Sequence, residues 1–378
     1  MKQQRGRTVE IESLADFDER VASGARAMAG WHLQNVDLRE RGPVLRRLDP
    51  TGALFLGCGL AEVDEQSLRA RGALVFPEVP DVPVNQYRAH LYTPGELYDH
   101  LVAGYHDTLD ARVYAWSKQE PQLDRSLAKA LHDHSIDDAL DEFVLGRGLV
   151  GIMGGHALAR GSASYAAAAR LAHRLAGAGL TVATGGGPGA MEAANLGAYL
   201  SARPARELDA ALEMLAVVPG FTPSVDDWAM TAFEVLNRWP DGVRSLGIPT
   251  WHYGHEPPNA FATDIAKYFK NAIREDVLLH LASAGIVFLP GAAGTVQEIF
   301  QDACENYYAD RSAVAPMVLV GRRHWSETVP VWPVLEALGR GRDMGARLHL
   351  VDGVDEAVSV LAADAGEADL PDLSESAP

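Results

Sequence analysis

The sequence predicts an α/β protein built mainly on a doubly wound, mostly parallel sheet, with an added α/β region in front of it. From Gly148 onward, buried-looking apolar runs, turns and helical stretches alternate, which is the rhythm of parallel strands joined by crossover helices. Two of those runs also break into glycine-rich turns that open helices, a feature that belongs at the carboxyl ends of strands in open α/β sheets.

The elements follow in chain order. Residues 1–145 form an accessory region in which Ala53-Leu-Phe-Leu-Gly57 and Ala73-Leu-Val-Phe-Pro77 flank a polar helical stretch at 64–71, one small β-α-β unit. Thr93-Pro-Gly-Glu96 starts a helix, with Thr93 as N-cap, Pro94 in the first position and Glu96 closing a capping box. Residues 126–144 are again helical in pattern. The main domain, 146–364, carries expected strands at 149–153, 180–183, 214–218, 248–253, 286–289, 317–320 and 348–351. An Ala-rich helix at 164–176 ends at Gly177 and Gly179. A helix at 263–283 buries Ile265, Phe269, Ile273, Val277 and Leu281, while Lys267, Lys270 and Arg274 share another face, either solvated or turned to a ligand. The tail, 365–378, is acidic, contains proline and lacks aromatics, so it is expected to be disordered.

Composition narrows the partners. The chain has 378 residues, 47% of them apolar, enough for a sizeable core. Its 33 Lys and Arg against 51 Asp and Glu give a net charge of −18, which disfavours nucleic acid and anionic membranes and leaves a small anion to be held by local geometry. Cys58 and Cys304 lie far apart with no Cys-x-x-Cys spacing, which fits a reduced cytoplasm. The N-terminus lacks the apolar core of a signal peptide, and no apolar run approaches the length of a membrane span.

The most informative segment is Pro290-Gly-Ala-Ala-Gly-Thr-Val-Gln-Glu298, which follows an apolar strand. Backbone N–H groups at such a helix start have no internal partners and carry the positive end of the dipole, so a phosphate can be held without lysine. The amides of Gly291 through Gly294 line the cradle, and Thr295 supplies a hydroxyl or serves as the N-cap. Glu298 stands one turn inside the helix, where it either faces a sugar attached to the phosphate or simply complements the helix dipole. A second turn, Thr184-Gly-Gly-Gly-Pro-Gly-Ala-Met-Glu192, repeats the arrangement, and His156 in Gly154-Gly-His-Ala follows the first main-domain strand toward the same crevice. Trp251-His-Tyr-Gly-His-Glu256 gathers two imidazoles and a carboxylate, but its spacing matches no common metal-ligand pattern, so neither a metal nor a cofactor is expected.

Pro290-Gly-Ala-Ala-Gly-Thr-Val-Gln-Glu298 resembles the Pro-Gly-Gly-x-Gly-Thr-x-x-Glu signature of the Lonely Guy family, and Gly185-Gly-Gly-Pro-Gly-Ala-Met-Glu192 resembles its first glycine motif. The resemblance covers about residues 148–325 and is nearer to the longer bacterial members than to the short cytokinin-activating ones. It implies a Rossmann-like fold, a homo-oligomer, and hydrolysis of nucleoside 5′-monophosphates to free base and ribose 5-phosphate. By position it implies Glu298 and Arg274 as the catalytic pair. It also implies Gly291, Gly294 and Thr295 as the phosphate cradle, with Gly185, Gly186, Gly187, Gly189 and Met191 around the nucleotide. Glu192 then takes the ribose hydroxyls. The chain departs from the pattern at Ala292, Gln297 and Glu275, and Arg274 lies about one residue further upstream than expected. Ala292 and Gln297 favour the alternative of a non-catalytic nucleotide sensor.

Overall fold

The computed structural model describes residues 9–252 and 256–368, and these divide into two compact units, residues 9–91 with 118–141 and residues 92–117 with 142–368. Both are α/β, with parallel sheets of four and seven strands. Among the described residues no helix is long and apolar enough to cross a membrane.

In the first unit β1 (Val9–Ile11), β2 (Trp31–Gln34), β3 (Leu54–Leu56) and β4 (Leu74–Phe76) lie side by side in chain order. The paired residues Ile11, Leu33, Phe55 and Val75 are 22, 22 and 20 residues apart, so each coil of chain returns to the same place one strand further on. That spacing falls within the period of repeat proteins, in which each coil buries its apolar face against the next. Ile11, Leu33 and Phe55 are all fully buried in one core with Phe17, Leu45 and Leu68. The expected β-α-β element is present as β3, helix Glu62–Ala70 and β4, but it is the last part of a longer repeat. The two earlier strands interleave polar residues, Glu10, His32 and Gln34, which hid them as strands in the sequence.

The second unit contains β5 (Leu149–Met153), β6 (Thr181–Thr184), β7 (Leu246–Gly247), β8 (Asp264–Ile265), β9 (Ile286–Phe288), β10 (Met317–Val320) and β11 (Leu348–Val351). Their order is β11-β10-β9-β5-β6-β7-β8, with every pairing parallel. The chain starts at the centre with β5, builds outward through β6 to β8, and then restarts on the other side of β5 with β9. Every residue of β5, β9 and β10 is buried, as strands with helices on both faces require.

Helices Ala163–Gly177 and Ala190–Tyr199 pack closely because their shared face is built from Ala168, Ala169, Ala172, Ala193, Ala194 and Gly197. Ser162 caps the first of them by accepting from the Tyr165 N–H. At Gly197 a Cβ would overlap the Ala169 carbonyl oxygen.

The structure corrects several expectations. Residues 214–218 are not a strand: Leu208, Ala211, Leu212 and Leu215 share the buried side of helix Ala205–Leu215, and Pro219 and Gly220 follow its end. The strand expected at 248–253 is absent among its described residues: β7 ends at Gly247, Thr250 makes an isolated bridge to Tyr268, and Tyr253 lies outside the described residues. The helix expected at 263–283 begins only at Asn271, and β8 occupies its expected first turn. Lys267 and Lys270 therefore share no helix face with Arg274. Residues 92–117, placed with the N-terminal region in the sequence, pack in the second unit, where Tyr92 stacks edge-on to Trp251 and Tyr98 donates to the Pro258 carbonyl at 2.5 Å. The final helix runs Val354–Ala368, and the rest of the expected tail, 369–378, lies outside the described residues.

Replacing Gly197 with Ala is expected to push the two helices apart and destabilise the fold by about 1–3 kcal/mol, measured as a lower urea midpoint at unchanged m-value. Val217, which is 80% exposed, gives the control: Val217→Ala leaves the midpoint within about 0.5 kcal/mol of the parent.

Candidate functional site

Three loops meet where the chain changes direction across the sheet. Because β6, β5 and β9 are consecutive in the sheet and parallel, the loops leaving their carboxyl ends, 185–189, 154–156 and 290–292, are neighbours. A Cβ on Gly154 would stand 2.9 Å from Ala190 Cβ and 3.1 Å from Leu289 Cβ, so the middle loop fits between the other two only without a side chain. This reversal of strand order is where open α/β sheets bind their ligands.

The first turn depends on glycine at two positions. Gly186 has φ +71°, and a Cβ there would be 2.6 Å from Pro249 Cδ. Gly189 has φ +72° and lies against the carbonyl oxygens of Gly155 and His156, immediately before helix Ala190–Tyr199. A buried polar network fixes the turn from behind. Thr184 Oγ1 accepts from the Gly186 N–H at 3.0 Å and donates to Asn195 Oδ1 at 2.7 Å. Asn195 Nδ2 donates to Ser245 Oγ at 3.1 Å, and Asn259 donates to the carbonyls of Gly186 and Gly187 at 2.8 and 3.1 Å. All four side chains are fully buried, so losing one partner strands the others in a low dielectric. Sequence reading missed this network; its one visible sign is Asn195, a neutral polar residue in the middle of helix Ala190–Tyr199.

The second turn leaves β9 and enters helix Ala293–Tyr308, with Ala292 at the N-cap and no side-chain cap bond. Thr295 is thus not the N-cap, as was one expectation, but the third helical residue, 5% exposed and folded over Gly291. The amides of Ala293, Gly294 and Thr295 belong to the first turn, where an α-helix leaves N–H groups without internal partners. His324, the first residue of the short helical segment His324–Thr328 after β10, hydrogen-bonds the Gly291 carbonyl through Nε2 at 3.0 Å and holds this turn from the other side. Nothing in its sequence context marked it.

Arg274 connects the turns. Its Nη1 lies 3.5 Å from where a Gly185 Cβ would be and 3.8 Å from Glu298 Oε1. Both side chains are mostly buried, at 13% and 18% exposure. Arg274 Nε is also buried and has no hydrogen-bond partner among the described residues, leaving a donor for a bound anion. Met191 packs over Gly185 and Gly187 from the same helix start. Beyond it, Glu256 Oε2 is 3.8 Å from the Gly187 Cβ position and its Oε1 is 3.9 Å from His156 Nδ1. Glu298, Arg274, Met191, His156 and both glycine turns are therefore brought together at one edge of the sheet.

Glu192 differs from the expectation. It is 1% exposed, and both carboxylate oxygens are taken by Arg160, one from Nε at 3.0 Å and the other from Nη2. Burial works against the Arg160 charge, but the adjoining carboxylate outweighs it and leaves the guanidinium above its ordinary value. Ribose hydroxyls would have to break this buried pair to reach Glu192. The half-buried carboxylate beside the turn is Glu256, which the sequence grouped with a loop of uncertain role.

Lys267 is also buried, 2.6 Å from Asp110 Oδ1, and Trp251 Nε1 donates to the same oxygen at 2.7 Å. Burial lowers its ammonium pKa while Asp110 opposes that shift. It anchors the start of the loop carrying Glu256 and is not a solvated cation. Tyr253, Gly254 and His255 of that loop lie outside the described residues. Among the described residues, no three His, Cys, Asp or Glu side chains are placed to hold a metal ion.

No protein-family model and no curated protein matches the chain. Among solved structures, the molybdenum cofactor carrier protein from Chlamydomonas reinhardtii is 16% identical over 58% of this chain and 99% of that one, with a TM-score of 0.37. A molybdenum cofactor binding protein from the phototrophic bacterium Rippkaea orientalis is 13% identical over 58% of this chain and 98% of that one, with a TM-score of 0.36. Likenesses of this strength carry no weight for function.

One turn beyond Glu298, Asp302 is 5% exposed; Asn306 Nδ2 donates to its Oδ1 at 3.3 Å, and its Oδ2 has no partner among the described residues. Burial, reinforced by Glu305, pushes this carboxyl well above the usual carboxylate range. Since the folded-state pKa is raised, its contribution to stability is complete below the unfolded-state value of about 4 and is lost as pH rises through the folded-state value. Asp302→Asn keeps the acceptor for Asn306 and removes the ionisation. The variant is expected to melt higher than the parent at about pH 8, with a difference that shrinks toward about pH 4, read by thermal unfolding across pH.

Proposed function

We propose that this protein hydrolyses the N-glycosidic bond of a nucleoside 5′-monophosphate to give the free base and ribose 5-phosphate. The observation that carries this reading is Arg274, whose guanidinium stands beside Gly185 of one turn and 3.8 Å from Glu298 of the other. A phosphate on the helix-start amides near Gly294 and Thr295 places a 5′-linked ribose one turn along, at Glu298. The family resemblance assigns the same two residues to the chemistry.

In this reaction water adds to the anomeric carbon, the bond to the base nitrogen breaks, and that nitrogen gains a proton. Positive charge builds on the ribose as the bond opens, and the Glu298 carboxylate stabilises it and helps orient the attacking water. Arg274 holds that carboxylate and the nucleotide in register. The phosphate, remote from the breaking bond, supplies binding energy for positioning. With Glu192 committed to Arg160, Glu256 is the carboxylate we assign to the ribose hydroxyls.

A panel of nucleoside monophosphates, scored for free base and ribose 5-phosphate, tests the reading. Glu298→Gln is expected to lower kcat by at least about 10²-fold while retaining nucleotide affinity; activity near the parent level would remove Glu298 from the chemistry. Thr295→Val should weaken nucleotide binding by roughly 1 kcal/mol, about fivefold, with kcat little changed. Nucleosides without phosphate should be poor substrates, and equal rates for both classes would contradict the cradle. Tight nucleotide binding with no base release would identify a sensor instead.

A further inference from the structure

A second cavity, of about 250 Å³, opens from the first glycine turn. It is continuous with the site through His156, Pro188 and Gly189, and its walls include Leu158, Phe221 and Trp228. Phe221 and Trp228 meet edge to face at 6.3 Å between ring centroids; Trp228 is 1% exposed, while Phe221 is only half-buried. Glu192 is among its lining residues, and its charge is already met by Arg160. Arg160 in turn donates Nη1 to the Trp228 carbonyl at 3.0 Å and stacks 4.8 Å from the Trp228 ring centroid. The buried charged groups here satisfy each other, and the half-buried Phe221 ring with Leu158 and Pro219 gives the cavity an aromatic and apolar wall.

From these features we propose that this cavity is the nucleobase subsite, with Phe221 as the stacking platform; the assignment rests on the nucleotide reading above. The contacts trace one path along the first turn. Gly185 lies beside Arg274, which is 3.8 Å from Glu298, Gly187 lies beside Glu256, and Gly189 lies beside His156 and the cavity mouth. A nucleotide with its ribose at Glu298 can extend its base along this path. Stacking accepts any planar base, so the pocket selects for an aromatic ring over a particular hydrogen-bonding edge.

Calorimetry with a purine monophosphate, a pyrimidine monophosphate and ribose 5-phosphate, on the full chain, tests the subsite without relying on catalysis. Phe221→Ala is expected to weaken both nucleotides by about tenfold or more and leave ribose 5-phosphate unchanged, while Phe221→Trp keeps parent-like affinity for both nucleotides. Unchanged nucleotide affinity in Phe221→Ala, with unchanged thermal stability, overturns the subsite. Equal weakening of all three ligands also overturns it, because the loss would then lie in the phosphate cradle. If the parent binds nucleotides and shows the Phe221 effect but releases no base, the subsite stands and the hydrolase reading falls. If the parent binds none of the three, both fall.

Discussion

The packing of β5 between β6 and β9 is the constraint on which the rest of the site depends. A parallel sheet that begins in its middle strand and restarts on the other side of that strand must bring two sequence-distant turns to one edge. Residues 185–189 and 290–294 are about a hundred positions apart in the chain, yet the β6-β5-β9 order leaves only the small loop at Gly154 and Gly155 between them. The close packing there is strict: Gly154, Gly186 and Gly189 each lie where a side chain would collide with a neighbouring strand end or loop. The site therefore follows from topology first and from side-chain chemistry second.

Within that frame the charges are divided between two tasks. Arg160 and Glu192 neutralise each other in full burial, as do Lys267 and Asp110, and both pairs stabilise backbone that carries the site. A buried pair of this kind is costly to break, because the residue left behind keeps its charge without water. Arg274 and Glu298 are arranged differently. At 3.8 Å and partial exposure they are close enough to orient each other and open enough to meet a ligand, and Arg274 keeps one buried donor unused. In a chain with a net charge of −18, this is how an anion can be attracted locally while long-range attraction is absent.

Much of this was legible in the sequence wherever local physics and tertiary packing agree. The strands at 149–153, 317–320 and 348–351 coincide with β5, β10 and β11; the first two are continuous apolar runs buried throughout, and β11, with His349 inside it, is a half-buried edge strand. Both glycine turns and Glu298 stood out by their spacing, whereas Arg274 was singled out by a helix face that the structure breaks up and by the family resemblance. What stayed hidden required long-range information. Glu192 looks available at a helix start until Arg160, 32 residues earlier, is seen to occupy it. Lys267 reads as a surface cation until Asp110, far upstream, is brought to it. The 214–218 error arose because an apolar helix end and a short buried strand have the same composition, and the repeat in the first unit was masked by polar residues within its strands. The His324 bond to the Gly291 carbonyl has no local signature at all.

The central claim is that both glycine turns serve one bound sugar phosphate together. The direct measurement is a titration of isotope-labelled protein with ribose 5-phosphate, following the backbone amides by NMR. The account predicts that amides in 185–189 and in 291–295 shift together and saturate with one dissociation constant. Shifts confined to one turn, or two turns saturating at different concentrations, would contradict it.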